Sequence, residues 1–427
     1  MSIEKDIPAL IKAGIISPET AQQIQEYYKI KSGSTSNRLF IVFGILGAIL
    51  VGLGIILIIA HNWDKLSRFS KTIFAFFPLV AAQSLCLYVL LRKPKSSAWR
   101  ESATVLLFFA VGACISLISQ IYHIPGNLSS FLLIWMLLCL PLMYVMKSSM
   151  AALLYILGIT YYAAETGYFS YPTSTPYIYW LLYLAVMPQY FLLFKKNPKS
   201  NFITVENWLL PISVTIALGT LSGNAGNFMF LAYFSLFNLF YIIGNNDFFS
   251  DKSLRNNSYK TIGSLGILIL LFTFSFDGFW SDLRERLDYS GLMLTSEFWI
   301  ALAITLAATG YLVFQQKNKS WREIPILSSI FIPVIIIFTV GFYSSIAVVL
   351  INILILMVSI LIIIQGTNKN HLGILNLGLS IITIWIIIRF LNTDLSFIIR
   401  GLLLMAIGVG FFSANYWMLK KRRKNEQ

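Results

Sequence analysis

Seven polar side chains in this sequence have types and positions that could bind or transform a solute. They are His61, Asp64, Gln120, His123, Arg389, Asp394 and Arg400. Imidazole titrates near neutral pH, so the two histidines, with Asp64 beside one of them, could carry protons. Each of the two arginines could hold a phosphate or a carboxylate through paired hydrogen bonds. We therefore predict that these residues form a substrate-binding site, and we assign no catalytic residue.

The same residues also have a purely structural interpretation. Arg389 and Asp394 could form a simple ion pair, and long basic side chains at helix ends often extend to the lipid–water interface. The remaining polar groups could cap helix ends. Both interpretations stay open at this point, and the decision depends on whether the residues meet on one face of the fold.

The sequence does not support a metal, a cofactor or a nucleic acid as a partner. Two histidines and one aspartate at unknown separation are too few ligands for a metal site, and the three cysteines each lie inside an apolar run. Phosphate-binding glycine loops and the HExxH and GxSxG patterns are absent from the sequence. The net charge of +14 comes from Lys and Arg scattered through short loops and both ends, which is not a nucleic-acid-binding stripe.

The composition indicates that most of the chain lies in lipid. The 427 residues are 57% hydrophobic and only 12% charged, and the mean hydropathy is +0.75. Soluble domains carry about 25% charged residues. The first apolar run, residues 39–60, would form a helix about 33 Å long, which exceeds the roughly 30 Å hydrocarbon core of a bilayer. The lipid bilayer is therefore the first partner that we expect.

We predict an all-α fold, a polytopic membrane helix bundle with about fourteen transmembrane helices. The predicted spans are residues 39–60, 72–91, 103–121, 130–146, 149–164, 177–194, 207–221, 226–243, 261–276, 297–314, 324–340, 343–364, 372–389 and 396–418. The transmembrane region is thus residues 39–418, and residues 419–427 form a basic tail.

The distribution of positive charge predicts the orientation. When the N-terminus is placed in the cytoplasm, most of the 32 Lys and Arg residues fall on the cytoplasmic side, and both chain ends lie there. We expect this arrangement in a cytoplasmic (inner) membrane. All seven candidate site residues then fall on the outer face, which supports a shared site, while the interpretation as separate helix caps stays open.

Residues 1–38 predict a small cytoplasmic helical segment and a linker. An apolar stripe over residues 3–13 ends at Gly14, and Ser17-Pro18-Glu19 reads as an N-cap followed by proline at the first helical position. Residues 31–37, rich in Ser and Gly, predict a flexible linker. The helical segment is either a solvated pre-membrane element or a docking element for a cytoplasmic partner.

Three further patterns predict local structure. Gly44, Ala48 and Gly52 are spaced by four in the first span, which lets another helix approach closely, within the chain or across a dimer. Glu101 and Glu206 lie at the starts of predicted spans, where a carboxylate favours a helix N-terminus. The segment 281–287, SDLRERL, predicts a short surface helix that starts at Ser281-Asp282.

Several stretches of the first half of the chain resemble a known family. They include residues 12–17 (KAGIIS), residues 52–67 (GLGIILIIAHNWDKLS) and residues 120–124 (QIYHI). Over roughly residues 5–165 the chain resembles a family of predicted bacterial membrane proteins, domain of unknown function 2157. The resemblance implies a multi-pass membrane protein. It implies no activity and therefore supplies no catalytic residue.

Three functions are compatible with these residues. The first is a transporter or flippase-like carrier of a small or lipid-linked anionic solute. The second is an intramembrane transferase or hydrolase for lipid-linked substrates, with His61 or His123 as the base and the arginines as phosphate ligands. The third is a non-catalytic scaffold or sensor that binds a partner through its N-terminal helices. We favour the carrier over an enzyme.

Overall fold

The computed structural model describes most of the chain. The described residues are 17–61, 67–198, 200–223, 226–250, 254–286, 295–317, 325–369 and 371–392, with positions 7, 11, 14, 398, 401, 402, 405, 408–410, 412, 413 and 416. All long elements within these ranges are helices, and none of these residues lies in a β-strand, which confirms the all-α prediction. The chain divides into unit 1, Met1–Leu209, and unit 2, Leu210–Gln427.

Unit 1 contains six complete helices among its described residues, and a seventh runs across the boundary into unit 2. They are α1 (Pro18–His61), α2 (Arg68–Arg92), α3 (Ser97–Tyr122), α4 (Leu128–Met146), α5 (Ser149–Ala164), α6 (Tyr177–Lys196) and α7 (Asn201–Gly219). Helix α3 packs against α1, α2 and α4, so it is central to the first half of the unit.

Short polar residues fix where several of these helices begin. The Ser17 hydroxyl accepts a hydrogen bond from the backbone N–H of Thr20 at 3.1 Å, so α1 starts at Pro18. Asn127 and Ser130 form a capping box at the start of α4, and Ser148 caps α5 through the N–H of Ala151 at 3.2 Å. These caps satisfy backbone donors that a membrane cannot satisfy with water.

The prediction of a flexible linker at residues 31–37 is wrong. These residues are helical and lie inside the 44-residue helix α1, which continues into the first apolar run. Ser, Thr and Asn each cost less than about 0.7 kcal/mol in a helix interior and a glycine about 1 kcal/mol. Strong helix formers on both sides can propagate the helix through such a short stretch, because extension costs much less than nucleation.

Unit 2 contains seven helices of ten or more residues among its described residues. They are α8 (Met229–Gly244), α9 (Ser258–Phe274), α10 (Asp277–Arg286), α11 (Ser296–Gln316), α12 (Phe331–Gly341), α13 (Ile346–Asn368) and α14 (Leu372–Asn392). Their core is rich in aromatic rings, and Phe234, Phe274, Trp280, Phe331 and Phe338 are each fully buried.

A sharp break separates α9 from α10, which meet at 77°. The short helix predicted in this segment is present as α10. Its predicted start at Ser281-Asp282 is wrong, because α10 already begins at Asp277. Asp277 places a carboxylate in the first turn, where the helix dipole favours it. The helix also does more than cover a surface, because Trp280 and Leu283 are fully buried in the core of unit 2.

Eight of the described helices are long and apolar enough to cross a membrane, and a ninth results if α9 and α10 form one bent span. The predicted count of fourteen is therefore not confirmed. Helices α8 and α12 contain 16 and 11 residues, shorter than the roughly 20 that a span needs, whereas the 16 residues of α5 continue directly into a π-helix, Glu165–Phe169. Most of the last predicted span, 396–418, lies outside the described residues.

Candidate functional site

A cavity of about 730 Å³ lies in unit 1 between α2, α3, α4 and the turn that joins α3 to α4. Most of its wall is apolar and includes Phe76, Val111, Ile115, Phe131 and Ile134. The polar side chains in the wall are those of Ser116, Ser119, Gln120, Asn127 and Ser130. Four of these five lie at or within a few residues of the α3–α4 turn, so the cavity has an apolar body and a polar end.

The polar end is built by the way α3 stops. His123 adopts a left-handed conformation with φ of 51°, and the backbone N–H of Ile124 donates to the Ser119 carbonyl at 2.9 Å. The Ser119 hydroxyl in turn donates to the Ile124 carbonyl at 3.0 Å. Asn127 then starts α4 with its capping box, so the turn is held at both ends.

Two of the predicted site residues, Gln120 and His123, lie at this end of the cavity. Gln120 is part of its wall and His123 is the exposed residue that ends α3. Next to them the Tyr122 and Thr72 hydroxyls are 3.1 Å apart, which connects α3 to α2. The structure therefore brings an amide and several hydroxyls to one end of an apolar cavity, and His123 lies in the adjacent turn without being part of the cavity wall.

Four other predicted site residues stay predictions. His61 is the last residue of α1, but its side chain lies outside the described residues, as do Asp64, Asp394 and Arg400.

The seventh predicted residue, Arg389, lies in unit 2 near the end of α14 and is partly buried. Its guanidinium donates to the Asn352 side-chain oxygen at 2.9 Å and to the Ser275 carbonyl, and it lies 5.5 Å from the centre of the Phe276 ring. Such stacking of a cation on an aromatic face is favourable. Arg389 is thus held at the break between α9 and α10.

Asn352, on α13, links Arg389 and Trp385 of α14 to the end of α9 at Ser275. Its side-chain oxygen also accepts from the Trp385 indole at 2.7 Å, and its amide donates to the carbonyls of Ser275 at 3.2 Å and Val348 at 2.6 Å. The break at Ser275 exposes a carbonyl that the helix no longer satisfies, and this network satisfies it. These contacts indicate that Arg389 has a structural role: it stabilises the break between α9 and α10.

The small residues of the first span face another helix of the same unit. A Cβ atom added at Gly44 would lie 2.6 Å from the Ser102 hydroxyl oxygen, and one added at Gly52 would lie 3.5 Å from the Phe109 Cβ. Ser102 and Phe109 both belong to α3, and Ala48 between the two glycines is half-buried. The geometry brings α1 and α3 into close approach within the chain.

Glu101 and Glu206, which the sequence placed at the starts of helices, do not lie in the first turns of their helices. Glu101 is 3% exposed and accepts hydrogen bonds from the Ser148 hydroxyl and from the backbone N–H groups of Ser149 and Met150 at 3.2 and 3.0 Å. It therefore serves the N-terminus of α5, not that of its own helix. Glu206 is fully buried and is the sixth residue of α7, beyond the first turn.

No three His, Cys, Asp or Glu side chains within the described ranges lie close enough together to hold a metal ion.

The fold and the comparisons together define a multi-pass membrane protein, because many of its helices meet the length and polarity of a membrane span. Residues 8–152 match the family model described as "Predicted membrane protein (DUF2157)", which confirms the resemblance. Searches of curated proteins and of solved structures gave no match. The matched region includes all the residues that line the cavity.

Proposed function

We propose that the protein is a flippase-like carrier of a lipid-linked anionic solute, with the cavity of unit 1 as its binding site. The observation that carries the proposal is the division of the cavity wall into an apolar body and a polar end. Ligand sites commonly combine an apolar lining with a few placed polar groups. An acyl or isoprenoid chain fits the apolar body, and a headgroup fits the polar end.

The size and position of the cavity favour a lipid-like solute over a small ion. About 730 Å³ is typical of sites for organic ligands and far exceeds what a single ion needs. Ser119, Gln120 and Asn127 supply neutral hydrogen-bonding groups for a headgroup. The expectation that the solute is anionic comes from the sequence alone, which places Arg389 and Arg400 on the outer face, and not from the wall of the cavity.

We further propose that the chain lies in the cytoplasmic (inner) membrane with both ends in the cytoplasm and about fourteen spans. The placement of Lys and Arg supports this orientation. The polar end of the cavity then faces outward, and the α3–α4 turn, residues 123–127, contains no Lys or Arg, as expected of an outer loop.

The test is lipid transfer by the full chain in liposomes. A fluorescent anionic phospholipid is included in the membrane, and an impermeant reductant bleaches the label in the outer leaflet only. We expect the wild-type chain to expose label from the inner leaflet. Ser116→Phe should slow this transfer about tenfold, equivalent to about 1.4 kcal/mol on the barrier, because the larger side chain narrows the cavity that Ser116 lines.

The matched control is Ser84→Phe, at an exposed position of α2 outside the cavity wall, which should transfer lipid at the wild-type rate. Equal rates for wild type and Ser116→Phe would remove the cavity from the pathway. Chemical modification of the lipid without transfer would point to the transferase or hydrolase and contradict the carrier.

A further inference from the structure

Three glutamates are buried among the described residues, and they differ in what surrounds the carboxyl group. Glu101, 3% exposed, accepts from Ser148, Ser149 and Met150. Glu297, 2% exposed, accepts from the Gly223 N–H at 2.7 Å and the Ser296 hydroxyl at 3.1 Å. Glu206 is 0% exposed, and neither of its carboxyl oxygens has a hydrogen-bond partner.

The position of Glu206 in its helix explains why the backbone gives it no donor. The backbone N–H groups left open by a helix are those of its first turn, and the effect of the helix dipole also fades beyond that turn. Glu206 follows the first turn of α7, whereas Glu297 lies within the first turn of α11. Burial therefore acts on Glu206 without the compensation that Glu297 receives.

The side chains packed around Glu206 do not neutralise it either. Glu101 from α3 and Tyr190 from α6 are the titratable groups that interact with it electrostatically. The Tyr190 hydroxyl donates to the Asn207 side-chain oxygen at 2.6 Å, so its proton is directed away from Glu206. None of the described Lys or Arg side chains forms an ion pair with Glu206.

An ionised carboxylate in these surroundings is very unfavourable. Isolated charges in an apolar interior cost many kcal/mol, and buried acids avoid this cost by binding a proton. The other buried carboxyl group nearby, Glu101, accepts three hydrogen bonds, whereas Glu206 accepts none, so only Glu206 lacks donors that would stabilise a negative charge.

We propose that Glu206 is a proton-binding site inside unit 1, neutral at neutral pH and able to exchange its proton with water. The carboxylate takes up one proton from bulk water to become a carboxylic acid, and release reverses this step without any other reactant. Release leaves a negative charge without a hydrogen-bond donor in the interior of unit 1, so the packing around Glu206 depends on pH. The inference is independent of the solute that the cavity binds.

The experiment is infrared spectroscopy of the full chain in liposomes, with glutamate labelled with ¹³C at the carboxyl carbon. The carbonyl stretch of a protonated carboxylic acid is separate from the carboxylate bands, and the label assigns it to glutamate. We expect a labelled band in the wild type at neutral pH and its loss in alkaline buffer. Glu206→Gln should abolish the band, while Glu297→Gln, the matched buried control, should retain it.

The wild-type spectrum decides the proposal even if Glu206→Gln fails to fold. Absence of a labelled carboxylic-acid band at neutral pH would overturn it. Retention of the band in a folded Glu206→Gln variant would assign the proton to another glutamate and would also overturn it. Loss of the band when sodium replaces potassium at constant pH would identify a cation site instead of a proton site.

Discussion

Trp280→Ala is expected to destabilise unit 2 by about 3–5 kcal/mol, the cost of removing a fully buried tryptophan. The indole packs against Phe338, with ring centres 5.6 Å apart, and donates to the Phe274 carbonyl at 2.7 Å. Its removal leaves both a cavity and a buried carbonyl without a donor, at the break between α9 and α10. The measurement is equilibrium unfolding of the purified full chain in detergent.

The control for this prediction is Trp299→Ala on α11. Trp299 is 59% exposed, so its truncation leaves no cavity in the core, and we expect a change below about 1 kcal/mol. Equal losses for the two variants would contradict the packing of α10 as described, in which Gly341 lies directly against the Trp280 ring.

Glu101→Leu is the second variant with a large expected effect, a loss of about 3–5 kcal/mol in unit 1, because each donor left unsatisfied costs about 1–3 kcal/mol. The substitution removes the acceptor of three hydrogen bonds and leaves the Ser148 hydroxyl buried, and the N–H groups of Ser149 and Met150 partly buried, without a partner. Water cannot replace this acceptor in an apolar interior, so the start of α5 should loosen. Hydrogen exchange of the Ser149 and Met150 amides reports this opening directly.

Two control variants, Glu101→Gln and Glu285→Leu, separate the loss of these hydrogen bonds from the loss of a negative charge. Glu101→Gln keeps one acceptor oxygen and should lose roughly half as much stability. Glu285→Leu, at an exposed position of α10, should change stability by less than about 0.5 kcal/mol. If Glu101→Leu left the amides of α5 protected, the cap described here would be wrong.

The sequence predicts the helices better than their ends. Local signals such as Ser17 before Pro18 mark starts correctly, because a cap depends only on neighbouring residues. Whether an apolar run forms one long helix depends on tertiary packing. Residues 324–340 are long enough in sequence, but α12 starts only at Phe331, after a 3₁₀ turn at Ile326–Ser328.

The site was harder to predict because its contacts are distant in sequence. Arg389 stands out as an arginine at the end of an apolar run, but its partners Asn352 and Ser275 lie 37 and 114 residues away. Serines that line the cavity, such as Ser116 and Ser130, have no sequence feature that separates them from ordinary helix residues and caps. Glu206 resembles a helix-start carboxylate until its depth in α7 and its burial are known.

The most direct test of the account is photo-crosslinking of a lipid to the wild-type chain in liposomes. An anionic phospholipid with a photoactivatable group in its acyl chain is irradiated, and mass spectrometry locates the adducts. We expect adducts at the cavity residues Val111 and Ile115, and their loss in Ser116→Phe. Adducts confined to exposed positions outside the cavity, such as Phe77 and Leu87, would contradict it.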